Sequence, residues 1–464
     1  MAEAKTTAVR GRYVWAVDGG RPTVLRDRYV VVEGDTIAAV SKDRPAGADH
    51  VIELEEAFVL PGLLNLHNHI TSSVLFRGIT EDRPAASATD LVYNLLMPLG
   101  DLATEKLPEP DLRAVIELGM LELIKGGTTT LLEMFRIQQE VIFQAARDMG
   151  LRLYAAPYLF STSKLTLGPD GMPKYEARES DARGLDRWKM LFRTYDGAAD
   201  GRIRVALGPH GTDSCGPDLL REVRKTADEF GCPITIHLSQ TRAEMELIQR
   251  RYGKTPEEYL EHVGLLGPDL LVAHCVESSD ASLDLLRRTN TTVVSCPLTY
   301  ARQGQFAPFG RFRRRGLRTV LGTDGYRMDL VGEMRQAGFV SKLYAGDSAG
   351  ATASELVHAT TAAGAEALGR SDLGRIAPGA RADLVVIDMA RPHLQPVSDP
   401  LRTLVWNASG ADVSAVMVGG RLLVEHGRYL LGDEGEIVRR GARAARKLWD
   451  MAEAVGITAR DDAG

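Results

Sequence analysis

The sequence predicts an α/β fold: an eight-stranded (β/α)8 barrel of the TIM type, beside a small β-sandwich assembled from the N- and C-terminal segments. Three observations carry this reading. Between residues 63 and 325, short runs rich in Val, Ile, Leu and Thr alternate with longer segments of helical period, the mark of repeated βα units on a parallel sheet. The runs number eight, which is what closure requires: 63–69, 128–134, 151–159, 203–210, 233–239, 270–275, 291–297 and 318–324. Both chain ends are strand-like instead, at 30–40, 50–60, 382–389 and 413–430. Helices are expected at 109–125, 138–149, 217–230, 241–252 and 280–289, and a closing helix at 441–456. The domains then divide as 1–60 with 376–440 for the sandwich, 61–375 for the barrel, and 441–464 for a terminal helix and tail. The polar stretch 168–184 reads as a surface loop or lid.

Length and composition fit this architecture and exclude several function classes. A chain of 464 residues exceeds what one core usually supports, which favours a large domain with a smaller companion. With 44% hydrophobic and 25% charged residues and a net charge of -6, nothing marks a nucleic-acid or membrane-surface partner. No run approaches the ~18 apolar residues of a membrane span, and the start lacks a signal-peptide core, so a cytoplasmic location is expected. Cys215, Cys232, Cys275 and Cys296 form no CxxC pair and read as reduced, packed thiols. The basic run "RFRRRGLR" (311–318) reads as a solvated helix face.

The chemistry lies in the histidines. His67 and His69, two apart on a strand, project from one face and can converge on one point. Of the ten histidines, five fall at or near the C-terminal ends of predicted strands: His67, His69, His210, His237 and His274. In a barrel those ends meet at the face where active sites are built. With Asp324, at the end of the eighth run, the group offers imidazoles and a carboxylate, a set suited to Zn²⁺ and less selectively to Fe²⁺, Co²⁺ or Ni²⁺.

The stretches "PGLLNLHNH" (61–69), "PHGTDSC" (209–215), "IHLSQT" (236–241), "AHCV" (273–276) and "LGTDG" (321–325) resemble, in order and spacing, the amidohydrolase superfamily. The likeness is to its cyclic aminohydrolase and triazine hydrolase branch, which includes guanine- and adenosine-type deaminases and chlorohydrolases. "PGARADLVV" (378–386) and "VMVGGRLLVEHG" (416–427) are similar to that branch's C-terminal sandwich. The resemblance implies one divalent metal held by His67, His69, His237 and Asp324, with His274 beside the reactive water and His210 near the substrate. Relatives with two metals bridge them with a carboxylated lysine on the fourth strand; "RIRVALGPH" (202–210) has none, so a mononuclear site is expected rather than one reached by Lys164. Such a metal lowers the pKa of its water toward ~7, and Asp324 and His274 are the catalytic candidates to move that proton to the departing nitrogen.

Two departures bear on the substrate. The branch places HxxE after the fifth strand, where the acid protonates a ring nitrogen; here "HLSQ" puts Gln240, which binds by hydrogen bonds but delivers no proton. Glu244 lies one turn on, in a helix expected to be solvated. "CPLTYARQGQFAPFG" (296–310) replaces the branch's Asn-rich substrate loop. Without a ring acid the reading turns to an acyclic amide, urea or carbamate, for example a phenylurea, with Phe76, Phe160, Phe306 and Phe309 as candidates for an apolar lining. The alternative is deamination or dechlorination of a nitrogen heterocycle, an aminopurine, pterin or s-triazine. A small-molecule substrate is expected in either case, and a homo-oligomer by analogy with paired barrels.

Overall fold

A computed structural model describes residues 6–80, 91–136, 138–161, 166–169, 173–174 and 181–458. All eight predicted runs are strands: Leu63–Asn68, Thr128–Phe135, Arg152–Leu159, Ile203–Val205 with Gly208–Pro209, Ile234–Leu238, Leu270–His274, Thr292–Ser295 and Thr319–Leu321. Strands one to four pair in parallel as one block and strands five to eight as another. Isolated parallel bridges join the blocks, Leu207 with Ile234 and Gly211 with His237 on one side, Asn68 with Asp324 on the other. Those bridges close the barrel. Its interior is filled by Leu64, Leu66, Leu132, Met134, Leu271 and Val320, as alternate residues of β-rich runs require.

The expected helices form as Glu109–Lys125, Val141–Met149, Pro217–Phe230, Arg242–Tyr252 and Asp280–Arg288, and a long helix, Glu434–Ala454, closes the chain. The segment 91–107, to which the sequence pattern assigned no element, is a π-helical turn Val92–Leu96 running into the helix Met97–Lys106. The polar stretch 168–184 and Lys164 fall largely outside the described residues. Arg311 and Arg315, within the basic run, are spent on Asp280 and Asp284 rather than left as a free cationic face.

The terminal segments form one nine-stranded sheet. Leu384–Asp388 lies antiparallel to Ala57–Pro61, which stitches the C-terminal piece to the N-terminal one. The sheet folds over a core of its own, including Val14, Val32, Ile37, Val59 and Val386. Its edge strand Thr36–Ser41 folds back onto the segment that leads into Leu384–Asp388, where Ala382 N–H donates to the Asp35 carbonyl at 2.9 Å and Ile37 N–H to that of Ala380 at 2.8 Å. Sheet and barrel are tied by a buried bidentate pair: Arg152, on the third barrel strand, donates from Nε and Nη2 to Asp383 at 2.9 Å each. Among the described residues no helix is long and apolar enough to cross a membrane.

Candidate metal centre and active-site pocket

The barrel strands deliver the five histidines to one place. His67 is buried at the end of the first strand, its ring centroid 4.8 Å from that of His69, 4.9 Å from His237 and 5.0 Å from His274. Asp324 comes from across the closing seam, where its N–H donates to the His67 carbonyl at 2.9 Å. Asn65 and Asn68 lock that seam: both donate to the Thr323 hydroxyl, at 2.6 and 2.8 Å. Gly322 lets the strands approach, since a Cβ there would lie 2.7 Å from His67 Cβ. The loops leaving the strands are wound tightly, with Ser239 at φ 49°, His274 at φ 84° and Asp324 at φ 55°, left-handed conformations that side chains other than glycine's rarely adopt.

The imidazoles present lone pairs to a common centre. His237 Nδ1 donates to the His210 carbonyl, and His69 Nδ1 to the Met134 carbonyl at 3.0 Å, so in both rings Nε2 carries the lone pair. Those two Nε2 atoms are 3.3 Å apart, and Asp324 Oδ1 lies 3.3 Å from His69 Nε2 and 3.8 Å from His67 Nε2. Among the described residues neither His67 nitrogen has a hydrogen-bond partner, nor has His274 Nδ1, although all are buried. Buried imidazole nitrogens without a hydrogen-bond partner are a place that a cation could satisfy. The ligand atoms of His67, His237 and His274, and those of His67, His69 and Asp324, each lie within 4.8 Å of one another. Burial keeps the rings neutral, with His69 and His237 lowered to about 4 and His67, His210 and His274 well below the usual histidine range. Neutral imidazole is the ligand form.

Beside this cluster opens a cavity of about 740 Å³, counting the space open to solvent at its mouth. His69, His210, His237, Gln240, His274 and Asp324 all line it. Ser214 donates to the Gly211 carbonyl at 3.2 Å and accepts from His210 Nδ1 at 2.8 Å, so His210 Nε2 is an acceptor. Sequence reasoning missed Tyr158, Thr299, Tyr300 and Tyr326, and the apolar wall of Val92, Leu96 and Met97. Of the phenylalanines, Phe76 lines the cavity and Phe160 lies 4.9 Å from His210, ring to ring. Phe306 is instead half exposed against Tyr344, and Phe309 is core.

The expectation of a solvated Glu244 is wrong. Its carboxyl is buried under the loop, accepting from Gln240 N–H at 2.8 Å, from Ser239 N–H at 3.1 Å and from the Thr212 hydroxyl. Burial, and then the neighbouring Asp213, push it up to about 8. Glu244 thus holds the strand-five loop and aims Gln240 into the cavity.

The amidohydrolase family profile matches residues 58–423. The chain belongs to the amidohydrolase family. This amidohydrolase is 32% identical over 451 residues to a 5'-deoxyadenosine deaminase of Methanosarcina acetivorans, covering 96% of this chain and 99% of the relative. It is 34% identical over 435 residues, 92% of the chain and 96% of the relative, to a 5-methylthioadenosine/S-adenosylhomocysteine deaminase of Natronomonas pharaonis. Its fold matches crystal structures of a zinc-bound adenosine deaminase from Xanthomonas campestris, at TM-score 0.85 and 23% identity over 97% and 99% of the two chains. It also matches an atrazine chlorohydrolase from Arthrobacter aurescens complexed with zinc, at TM-score 0.85 and 23% identity over 95% and 100%.

Proposed function

We propose that this amidohydrolase removes an amino group, as ammonia, from a nitrogen heterocycle of the adenosine type. The observation that carries the hydrolytic part is the convergence of His67 with His69 and Asp324, and of His67 with His237 and His274, about buried His67 nitrogens that have no hydrogen-bond partner among the described residues; His67, His69, His237 and Asp324 make a donor set that fits one divalent ion. Zinc suits it, and is the ion in the two structural neighbours named above. A cation held there supplies Lewis-acid activation of water at neutral pH. The chain's own groups do the rest. Asp324 and His274 flank the place where water and substrate meet, and are the groups to take the water's proton and return it to the departing nitrogen. His210 Nε2, fixed as an acceptor by Ser214, takes a hydrogen bond from a substrate N–H, and Gln240 orients the ring with its amide.

The relatives turn the choice between the two substrate readings toward the heterocycle and away from the phenylurea, since the curated relatives named above are deaminases of adenosine derivatives. Gln240 still sets this site apart from HxxE sites, and the ring must be held without a glutamic acid at that position. The test is to incubate zinc-replete protein with aminopurine nucleosides, pterins, chlorotriazines, phenylureas, carbamates and anilides, and to identify products by mass. Ammonia from an aminopurine nucleoside is the expected result. Aniline-type amines with no ammonia would restore the urea reading, and chloride release alone would make the protein a dehalogenase.

A further inference from the structure

The hydroxyl of Tyr158 lies 3.0 Å from His69 Nδ1, and that same nitrogen is 3.0 Å from the Met134 carbonyl oxygen. A carbonyl oxygen only accepts, so the hydrogen is on Nδ1. Nδ1 therefore donates to both oxygens in a three-centre bond, and Tyr158 Oη is the acceptor of the pair. The phenolic hydrogen is left over. Among the described residues Tyr158 Oη has no other protein partner. Its ring, at the C-terminal end of the third strand, sits 5.2 Å from His210 and 5.4 Å from Phe160, and its remaining open side faces the cavity. Once a ligand displaces water, a hydroxyl hydrogen without an acceptor is costly, so the ligand must bring one.

We propose that Tyr158 is a substrate-binding and specificity residue whose O–H donates to a ring nitrogen of the heterocycle. The inference rests on the deaminase reading for the nature of the acceptor and on the hydrogen-bond geometry for the donor. It explains how the cavity holds a ring with Gln240 in place of an acid: a neutral phenol supplies a directional donor, and His69 fixes the lone-pair side of its oxygen so that the hydrogen turns inward. No proton leaves Tyr158.

The test compares wild type with Tyr158→Phe on adenosine and its 1-deaza, 3-deaza and 7-deaza counterparts, taking kcat and KM where there is turnover and inhibition constants where there is none. Tyr158→Phe should lower kcat/KM for adenosine about 10- to 100-fold. One deaza compound should show a matching loss in wild type and no further loss in the variant. Zinc per chain and the thermal midpoint of unfolding should be unchanged, which separates a ligand contact from a prop for His69. A loss under twofold, an equal loss on all four compounds, or a loss that tracks missing zinc would overturn the proposal. If wild type releases ammonia from none of them, the heterocycle reading fails by itself. The donor is then read on whichever urea, carbamate, anilide or chlorotriazine is turned over, where a Tyr158→Phe loss under twofold overturns it as well.

Discussion

On the proposed reading, Gln240, which lines the cavity, sets which protons the pocket can deliver. Replacing it with glutamate puts an ionisable acid on the same loop, facing the same cavity. Only the protonated form can donate, so kcat/KM of Gln240→Glu should gain a limb absent from wild type: highest at low pH, falling about tenfold per unit once pH exceeds the new acid's pKa. A profile of unchanged shape would mean that the side chain at this position does not reach the reacting ring. The imidazoles divide differently. His67→Ala removes a nitrogen at the centre of the cluster and should abolish stoichiometric zinc, read by elemental analysis. His274→Ala should keep zinc while kcat falls about 100-fold or more, the usual worth of a general acid-base group. Equal zinc loss in both variants would make His274 a ligand.

At the scale of elements, the loops above the barrel are held by buried carboxyls. Glu333, on the helix Leu330–Ala345, accepts from Leu298 N–H at 2.9 Å and so tethers the short helix Pro297–Ala301 that carries Thr299 and Tyr300 into the cavity. Burial pushes Glu333 up to about 8. A carboxyl raised above its unfolded value favours the fold fully below pH ~4.3, and that advantage is lost as pH rises through the folded value. Stability of wild type relative to Glu333→Gln should therefore decline from about pH 4.3 to about 8, by at most about 1.4 kcal/mol per unit, and level off above that, as urea unfolding would show. Tethers of this kind were not legible in the sequence. The eight strands were, because β-branched runs bounded by helical period leave a local signal, and so were the five histidines, because strand ends converge by topology. Glu244 looked solvated in "TRAEMELIQR" because the polar side of a helix carries no mark of the loop folded onto it. Tyr158 and the wall of Val92, Leu96 and Met97 were hidden for the related reason that a cavity gathers residues from strands and loops far apart in sequence.

At the scale of the whole molecule, the nine-stranded sheet and the barrel share one buried charge pair. Asp383 also accepts from Gly419 N–H at 2.7 Å, so the pair reaches three segments of chain. Asp383→Ala strands Arg152, 2% exposed, without its counter-ion and should cost about 3 to 5 kcal/mol in chemical unfolding. A cost below 1 kcal/mol would show that the two bodies cohere by apolar contact alone. The seam between first and eighth strands has a consequence for synthesis. Asn65 and Thr323, hydrogen-bonded across it, are 258 residues apart, so on the ribosome the Leu63–Asn68 edge is made long before its mate emerges. Until then a bare strand leading into two histidines waits in the nascent chain, and expression yield should depend on chaperone supply and on codons that slow or hasten the stretch in between.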